Sequence, residues 1–179
     1  MRVIAGEFRS RRLKTLPGLA LRPTPDRLRE ALFNVLAPRI EGAIFLDAYA
    51  GCGSVGIEAL SRGAAQAIFL EKHFAAVRTI RENLATLGIE DRATVVHGAA
   101  TNALSRFEAD IYFLDPPYTE LGEYKAALDL LGKSSALVLA QHDKHHRLEE
   151  VYGALRRTRE LKQGDNVISF FSSSPPATG

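Results

Sequence analysis

The chain has 179 residues, of which 46% are hydrophobic and 25% charged, with a net charge of +2; this composition is typical of a compact globular protein and not of a disordered or fibrous one. No apolar stretch approaches the roughly 18 residues of a membrane span, and the first residues carry charge instead of an apolar signal segment, so we expect a cytoplasmic protein without a membrane partner. The single cysteine, Cys52, excludes an internal disulfide and a multi-thiolate zinc site, and we interpret it as a small packing residue.

The first predicted element is a basic N-terminal β-hairpin extension over residues 1–20. Short apolar and basic stretches within residues 3–16 are closed by Pro17-Gly18, which predicts a small hairpin outside the main core. Residues 2–29 carry eight arginines and lysines against two acidic residues. This charge favours a phosphate-bearing partner, and it is equally typical of a solvated basic surface with no partner.

A helix leads from the hairpin into the main domain, predicted over residues 21–172. We expect Thr24 to cap this helix, Pro25 to occupy its first position and Pro38 to end it. Apolar residues repeat at helical spacing between these points, namely at Leu28, Ala31, Leu32, Val35 and Leu36.

From residue 44 onward the chain alternates between continuous apolar runs and helical segments. The helical segments are residues 55–62 and 74–87, the second with Gly88 as its C-terminal cap. The apolar runs lack polar alternation, as expected for parallel strands buried on both faces. They lie at residues 44–46, 67–70, 94–96, 111–114 and 137–140.

The last part of the domain differs from this alternation. Residues 156–161 and 167–171 flank a turn at residues 163–166, which predicts a closing antiparallel hairpin at the sheet edge. We therefore predict an α/β, doubly wound, Rossmann-like fold with a mostly parallel sheet. Residues 173–179 are predicted to form a disordered tail.

A glycine-rich loop joins the first strand to the following helix. Three glycines have the spacing G-x-G-x-x-G, which lets the backbone turn tightly and directs N–H groups at an anionic ligand. An acidic residue closing the second strand can bind a ribose diol, so the pattern fits both NAD and S-adenosylmethionine. Asp47 favours S-adenosylmethionine, because its carboxylate can hold a cationic amino group and would repel a pyrophosphate. The predicted cofactor-binding residues are Asp47, Ala48, Gly51, Gly53 and Glu71.

The motif Asp115-Pro116-Pro117-Tyr118 directly follows the fourth strand. The exocyclic amine of a nucleobase is a poor nucleophile because its lone pair is delocalised into the ring, so an enzyme must place acceptors where the amine hydrogens point. The Asp115 carboxylate and the Pro116 carbonyl provide such acceptors, the two prolines stiffen the turn, and Tyr118 can stack on an extruded base. We predict these four as the catalytic residues of an amino-methyltransferase that uses direct in-line transfer and no metal, with Asp115 as hydrogen-bond acceptor and either Asp115 or water as the base.

These motifs, together with the opening Arg2-Val3-Ile4-Ala5-Gly6 and the block Leu21-Arg22-Pro23-Thr24, resemble the small single-domain bacterial 16S ribosomal RNA guanine-N2 methyltransferases over nearly the whole chain. The resemblance implies a Rossmann-like S-adenosylmethionine-dependent methyltransferase fold, guanine N2 as target and 16S rRNA within the small ribosomal subunit as partner. We expect a monomer. The predicted RNA-binding residues are Arg9, Arg11, Arg12, Arg22, Arg27 and Arg29. Thr24 would lie with Arg22, Arg27 and Arg29 near the mouth of the site. Helix capping explains Thr24 equally well, and surface salt bridging explains Arg29 equally well.

One departure from the usual methyltransferase pattern concerns recognition of the adenine. The chain has His97-Gly98 where many methyltransferases place an acidic residue after the third strand, which leaves three alternatives open: backbone groups at Ala99, backbone groups at Ala100, or the Asn102 side chain. The histidine-rich stretch 141–146 is interpreted as a polar loop and not as a metal site.

Three rival functions stay open on the sequence alone. An adenine-N6 methyltransferase on DNA or RNA would use the same Asp-Pro-Pro-Tyr motif, although the chain lacks a target-recognition domain for sequence-specific DNA. A non-catalytic RNA-binding protein would use the basic hairpin and the cofactor fold to chaperone RNA, but the intact Asp115 to Tyr118 motif beside an intact glycine loop favours catalysis. An NAD-dependent oxidoreductase would use the glycine loop, but the chain has no recognisable hydride-transfer residues.

Overall fold

The computed structural model describes residues 1–18 and 23–173, which form an eight-stranded mixed sheet with helices on both faces. The helices are α1 (Asp26–Ile40), α2 (Ser54–Ser61), α3 (Phe74–Leu87), α4 (Ala100–Ala103) and α5 (Gly122–Leu130). The strands are β1 (Ile44–Asp47), β2 (Gln66–Glu71), β3 (Ala93–His97), β4 (Ile111–Leu114), β5 (Leu137–Asp143), β6 (Val151–Tyr152), β7 (Leu155–Gln163) and β8 (Asn166–Ser172). The predicted role of Arg22 and the predicted disorder of residues 174–179 lie outside the described residues.

The strand order is β3-β2-β1-β4-β5-β8-β7-β6. Strands β1 to β5 are mutually parallel, whereas β8 lies antiparallel between β5 and β7. This arrangement confirms the predicted α/β fold with a mostly parallel sheet and a C-terminal antiparallel hairpin, β7 and β8. The short strand β6, which pairs with β7, was not predicted.

Alternate side chains of the central strands pack on opposite faces of the sheet. Phe45 of β1 and Phe69 of β2 face the cluster that includes α1, α2 and α3, whereas Leu46 and Leu70 face the cluster that includes α4 and α5. Because both faces are covered, the middle of each of these strands is a continuous apolar run, as predicted, and polar residues stand only at the strand ends. Strand β3 is the exception: it lies at the sheet edge, and its residues are half-buried or exposed.

The direction of the crossover connections reverses at β1. The chain passes from β1 to β2 on one side, while β4 lies on the other side of β1. In open α/β sheets this reversal leaves a crevice beyond the carboxyl ends of the two central strands, where ligands bind. The topology therefore places a binding crevice beyond Asp47 of β1 and Leu114 of β4.

The N-terminal segment, residues 1–18, is part of the core. Its antiparallel pairing is limited to one bridge between Arg2 and Arg12, and the side chains of Val3, Phe8 and Leu13 are buried in the cluster that contains α1 to α3. The prediction of a hairpin outside the main core was therefore wrong in its packing. The apolar side chains and the arginines follow one another without a regular period. The sequence pattern therefore did not indicate that one side of the segment is buried.

A close backbone approach fixes this segment on α2. Gly6 has φ +85°, and a Cβ built on it would lie 2.0 Å from the Ser61 carbonyl oxygen. The Phe8 N–H donates to Ser61 Oγ over 3.0 Å, and that hydroxyl donates to the Ala5 carbonyl over 2.6 Å. The segment therefore needs glycine at position 6.

Helix α1 differs from its prediction at both ends. Pro25, not Thr24, is the residue that precedes the helix, and the Thr24 hydroxyl instead donates to Gln141 Oε1 over 3.1 Å. At the other end the helix continues past Pro38 to Ile40. Pro38 thus lies in the last turn, and the helix ends two residues after it. The predicted cap of α3 is confirmed, with Gly88 at φ 68°.

Strand β5 extends into residues that were predicted to form a polar loop. Gln141 and His142 are strand residues, each 5% exposed. His142 Nε2 lies 2.8 Å from Ser169 Oγ on β8, and the Gln141 carbonyl accepts the Tyr124 hydroxyl over 2.6 Å. The loop prediction was wrong for residues 141–143 and holds for residues 144–146, which lie outside the strand. The polar side chains are satisfied in the interior, because Gln141 Oε1 accepts the Thr24 hydroxyl and the His142 ring contacts Ser169 on the neighbouring strand.

The described residues, 1–18 and 23–173, contain no group of three or more His, Cys, Asp or Glu side chains arranged to hold a metal ion. They also contain no helix long and apolar enough to cross a membrane.

Candidate active site

A cavity of about 520 Å³ lies beyond the carboxyl ends of β1, β2 and β4. Its size is in the range of cavities that hold a small-molecule cofactor. Nearly all the residues predicted for cofactor binding and catalysis line it: Asp47, Ala48, Gly51, Glu71, Asp115, Pro116, Pro117 and Tyr118. Gly53 is the one predicted cofactor-binding residue that does not.

The three glycines of the loop after β1 have different roles. The Gly51 N–H faces the cavity side of the loop and donates to Glu71 Oε2 over 2.8 Å. Gly53 precedes α2 with φ 87°, a backbone conformation that residues with a Cβ rarely adopt. Gly56 lies under the sheet, where an added Cβ would be 2.4 Å from the Phe69 ring. Gly53 and Gly56 therefore shape the loop and seat the helix, and Gly51 forms the cavity wall.

Asp47 ends β1 and is the most deeply buried carboxylate of the cavity wall, with 1% of its surface exposed. Its Oδ2 accepts the Gly56 N–H over 3.2 Å. Burial, reinforced by the negative charge of Glu71 and opposed by the hydrogen bond from Gly56, raises the pKa of Asp47 to about 7. A cationic group bound against this carboxylate would favour its ionised form.

Glu71 ends β2 and holds two neighbouring segments through its two oxygens. Oε2 accepts the Gly51 N–H, while Oε1 accepts the His73 N–H over 2.9 Å and lies 2.9 Å from His73 Nδ1. Oε2, which has one hydrogen bond, retains a lone pair for a ligand hydroxyl, whereas Oε1 already has two hydrogen-bonding neighbours. His73 also lines the cavity and was missed from the sequence, although its position two residues after Glu71 was an available signal.

The Asp115 to Tyr118 motif forms the opposite wall. Pro116 is buried, Asp115 and Pro117 are half-buried, and the Tyr118 ring is 44% exposed at the cavity mouth. Asp115 is therefore less exposed than Tyr118, and both line the cavity.

Two further side chains line this end of the cavity and were not predicted. The Tyr49 hydroxyl donates to Glu123 Oε2 over 2.9 Å, which connects the glycine loop to α5. Burial and the adjacent Glu123 raise the pKa of Tyr49 above its ordinary value, so the phenol stays protonated. Tyr49 has no distinguishing spacing in the sequence, which explains why it was missed.

The N-terminal segment and the start of α1 supply a third wall. Met1, Thr15 and Leu16 line the cavity from the segment, and Thr24, Pro25 and Asp26 line it from the residues at the start of α1. The sequence predicted RNA contacts for the N-terminal segment but did not predict that it would enclose the cofactor cavity.

Of the six arginines predicted to bind RNA, four are exposed and one is buried. Arg9, Arg11, Arg12 and Arg27 are exposed on the surface of the N-terminal segment and of α1. The guanidinium of Arg29 has no exposed surface; it donates to the Arg2 carbonyl over 2.7 Å and to Asp26 over 3.2 Å.

Arg29 therefore has a structural role, and its predicted RNA contact was wrong. It does form the salt bridge of the alternative prediction, with the exposed Asp26, but its own guanidinium lies in the interior and not at the surface. Its Nε lies 3.9 Å from Glu58, a fully buried carboxylate that also pairs with Arg62 over 2.9 Å. Glu58 accepts the backbone N–H groups of Ile4 and Ala5. This buried group of charges attaches the N-terminal segment to α1 and α2.

The far end of the cavity bears on the open question of the adenine. Ala99 and Ala100 line the cavity, whereas Asn102 does not and is exposed. The geometry favours the two backbone alternatives over the Asn102 side chain.

Comparisons with known proteins agree with this site. The family model described as Conserved hypothetical protein 95 matches residues 1–172. The chain is 39% identical over 181 residues to "Putative rRNA methyltransferase YlbH" of Bacillus subtilis, covering 96% of this chain and 98% of that protein. It is 44% identical over 120 residues to "Ribosomal RNA small subunit methyltransferase D" of Escherichia coli K12, covering 66% of this chain and 60% of that protein.

Among solved structures, "Putative methyltransferase yhhF from Escherichia coli" superposes with a TM-score of 0.85 at 32% identity, covering 98% of this chain and 99% of that one. A structure described as "putative methylase HI0767 from Haemophilus influenzae" superposes with a TM-score of 0.78 at 32% identity, covering 96% of this chain and 97% of that one. These matches confirm the predicted methyltransferase fold and the resemblance at the level of bacterial rRNA methyltransferases. The chain belongs to the Conserved hypothetical protein 95 family, together with bacterial relatives that are named as rRNA methyltransferases.

Proposed function

We propose that this protein transfers a methyl group from S-adenosylmethionine to the exocyclic N2 of one guanine in 16S rRNA, within an assembled or partly assembled small ribosomal subunit. The observation that carries the proposal is the convergence, in one cavity, of the carboxylates Asp47 and Glu71 with the Asp115 to Tyr118 motif. The names of the relatives, which give rRNA and the small subunit as substrate, support the same substrate class.

The residues on one side of the cavity fit the cofactor. Asp47 is a buried carboxylate with a raised pKa, and the ammonium of an amino-acid moiety would supply its missing counter-charge. Glu71 would accept the ribose hydroxyls, and Gly51 lets the loop approach the ligand closely. When bound, S-adenosylmethionine supplies a sulfonium methyl group that is already activated for transfer.

The residues on the other side fit the base. Asp115 and the Pro116 carbonyl would accept the two hydrogens of the amine, which orients its nitrogen and stabilises the positive charge that develops there. Tyr118 would stack on the extruded guanine at the cavity mouth. The proton lost by the amine passes to Asp115 or to water.

Methyl transfer to defined particles tests the proposal. Small-subunit particles from cells that lack this protein are incubated with the chain and labelled S-adenosylmethionine, and the rRNA is digested for nucleoside analysis. We expect label in N2-methylguanosine. Label in N6-methyladenosine would transfer the assignment to an adenine-N6 methyltransferase, and no transfer by a chain that binds the cofactor would contradict an enzyme acting on this substrate.

A further inference from the structure

Asn83 of α3 joins the N-terminal segment to the glycine loop. The residue is 3% exposed, and its side-chain amide makes three hydrogen bonds to backbone groups of two separate segments. Oδ1 accepts the Lys14 N–H over 2.8 Å, while Nδ2 donates to the Lys14 carbonyl over 3.1 Å and to the Cys52 carbonyl over 3.0 Å. One buried amide therefore fixes the distance between residues 14 and 52.

Both segments are walls of the cofactor cavity, whereas Asn83 itself does not line it. Lys14 immediately precedes Thr15 and Leu16, and Cys52 follows Gly51 in the glycine loop. A displacement of either segment would change the width of the cavity between them. Asn83 thus acts on the cavity through its neighbours.

Other contacts between the N-terminal segment and α3 are exposed and contribute less. Lys14 Nζ pairs with Glu82 over 2.9 Å, and Arg11 Nη2 donates to the Thr86 carbonyl over 3.2 Å, both at the surface. Exposed pairs of this kind contribute little because water and salt screen them. A buried amide is different, since removing it leaves the backbone groups of Lys14 and Cys52 without partners.

We propose that Asn83 is a positioning residue that holds the glycine loop and the N-terminal segment in the arrangement that binds the cofactor, and that it couples cofactor binding to RNA binding by the same segment. The second part rests on the proposed function, because the exposed Arg9, Arg11 and Arg12 of this segment would contact the rRNA. By linkage, each ligand then strengthens the binding of the other by the same factor.

The test compares Asn83→Ala and Asn83→Asp with Glu82→Gln. Asn83→Asp keeps the acceptor for the Lys14 N–H and loses both donors, and the control Glu82→Gln removes only the exposed ion pair on the neighbouring residue. Dissociation constants for S-adenosylhomocysteine are measured by equilibrium dialysis with the chain alone and with saturating unmodified small-subunit particles. Circular dichroism sets a temperature at which every variant is folded.

We expect both Asn83 variants to bind S-adenosylhomocysteine about tenfold more weakly than the wild type in the absence of particles, and Glu82→Gln to stay within about twofold. In the wild type and in Glu82→Gln, particles should tighten S-adenosylhomocysteine binding by about fivefold or more, and in both Asn83 variants this factor should approach one. A loss of stability alone would not change how much particles tighten S-adenosylhomocysteine binding to a folded protein. This tightening factor therefore distinguishes a positioning role from a purely structural one.

Wild-type affinity in both folded Asn83 variants would overturn the positioning role, and a factor of one in the wild type would overturn the coupling. Methyl transfer by the wild type to the same particles tests the proposed function separately. If that transfer fails, the affinities measured without particles still decide whether Asn83 positions the cofactor cavity.

Discussion

Asp47 is a carboxylate in an environment that disfavours its charge. Its pKa is raised from 3.8 to about 7, chiefly by burial. The stability associated with the neutral form is therefore fully present below pH 3.8 and is lost as the pH rises to about 7. A bound ammonium compensates this loss. The ionised Asp47 therefore destabilises the free protein and strengthens the binding of a cationic ligand.

This shift makes cofactor binding dependent on pH. Because the ammonium of S-adenosylhomocysteine favours ionised Asp47, its affinity should weaken by about tenfold per pH unit below pH 7, with uptake of the ligand accompanied by proton release. Calorimetry in buffers of different ionisation enthalpy measures both quantities. Asp47→Asn should bind more weakly and show a flat profile between pH 5.5 and 7, whereas a flat profile in the wild type would contradict the role of Asp47.

Asp115 should affect transfer far more than binding. Asp115→Ala is expected to lower kcat for methyl transfer by about a hundredfold or more, because the variant lacks one acceptor for the developing charge, while the dissociation constant for S-adenosylhomocysteine changes by less than about twofold. Asp129→Ala, which removes an exposed carboxylate of α5, is the matched control. Full activity of Asp115→Ala would refute the assigned role.

At the residue scale, the sequence predicts those site residues whose role is set by their neighbours in the chain. The cavity contains Asp47, Glu71 and Asp115 because each follows the carboxyl end of a strand, and that position is visible in the apolar runs. Arg29 was misassigned because its partner Glu58 is 29 positions away in the chain, and its burial depends on how two helices pack. Tyr49 was missed for the same reason, since its partner Glu123 lies on a distant helix.

Helix α2 shows how closely one element is fitted to another. All eight of its residues are buried, and it contacts β2 where Gly56 meets the Phe69 ring. The ring is fully buried. Helix position and sheet position are therefore determined together at this contact.

Gly56→Ala should reveal this fit. The added Cβ would overlap the Phe69 ring, and we expect the free energy of unfolding, measured by urea denaturation, to fall by about 1 to 3 kcal/mol. Gly122→Ala is the control, because Gly122 opens α5 with no atom within 4 Å of an added Cβ, so its substitution should be neutral or stabilising. A Phe69→Leu substitution added to Gly56→Ala should recover part of the stability, and equal stability of Gly56→Ala and the wild type would contradict the fit.

At the element scale, predictions succeeded where both faces of an element are apolar or where one face is regular. Strands β1, β2 and β4 and helix α3 are of this kind. Strand β5 was cut short because Gln141 and His142 are polar, and hydrogen bonds of their side chains to Thr24 and Ser169 satisfy them in the interior. The end of α1 was predicted at Pro38, but the helix continues to Ile40, because a proline in the last turn does not end the helix at its own position.

At the scale of the whole molecule, the N-terminal segment is both a core element and the basic surface next to the cavity. Its buried Val3, Phe8 and Leu13 belong to the main core, while Arg9, Arg11 and Arg12 point to solvent. Deletion of the segment would therefore expose the core as well as remove the charges. Only substitution of the exposed cations separates RNA binding from folding.

Replacing Arg9, Arg11 and Arg12 together by alanine should weaken binding to small-subunit particles and reduce the slope of log affinity against log salt by about one for each phosphate that these arginines neutralise. The urea midpoint and the affinity for S-adenosylhomocysteine should stay close to those of the wild type. A variant in which the exposed Arg156, Arg159 and Lys162 of β7 are replaced is the matched control for charge. Equally weakened binding in both variants would indicate a dependence on net charge only.

The position of β8 has a consequence for the folding of the nascent chain during its synthesis on the ribosome. This strand, later in the chain than all the others described, lies inside the sheet between β5 and β7. While the nascent chain is shorter than about 170 residues, β5 presents an open edge whose N–H and C=O groups have no neighbour. Before β8 is available, the incomplete sheet can therefore pair at β5 with a strand of another polypeptide. A pause in translation within β7 would prolong the time during which this edge is exposed.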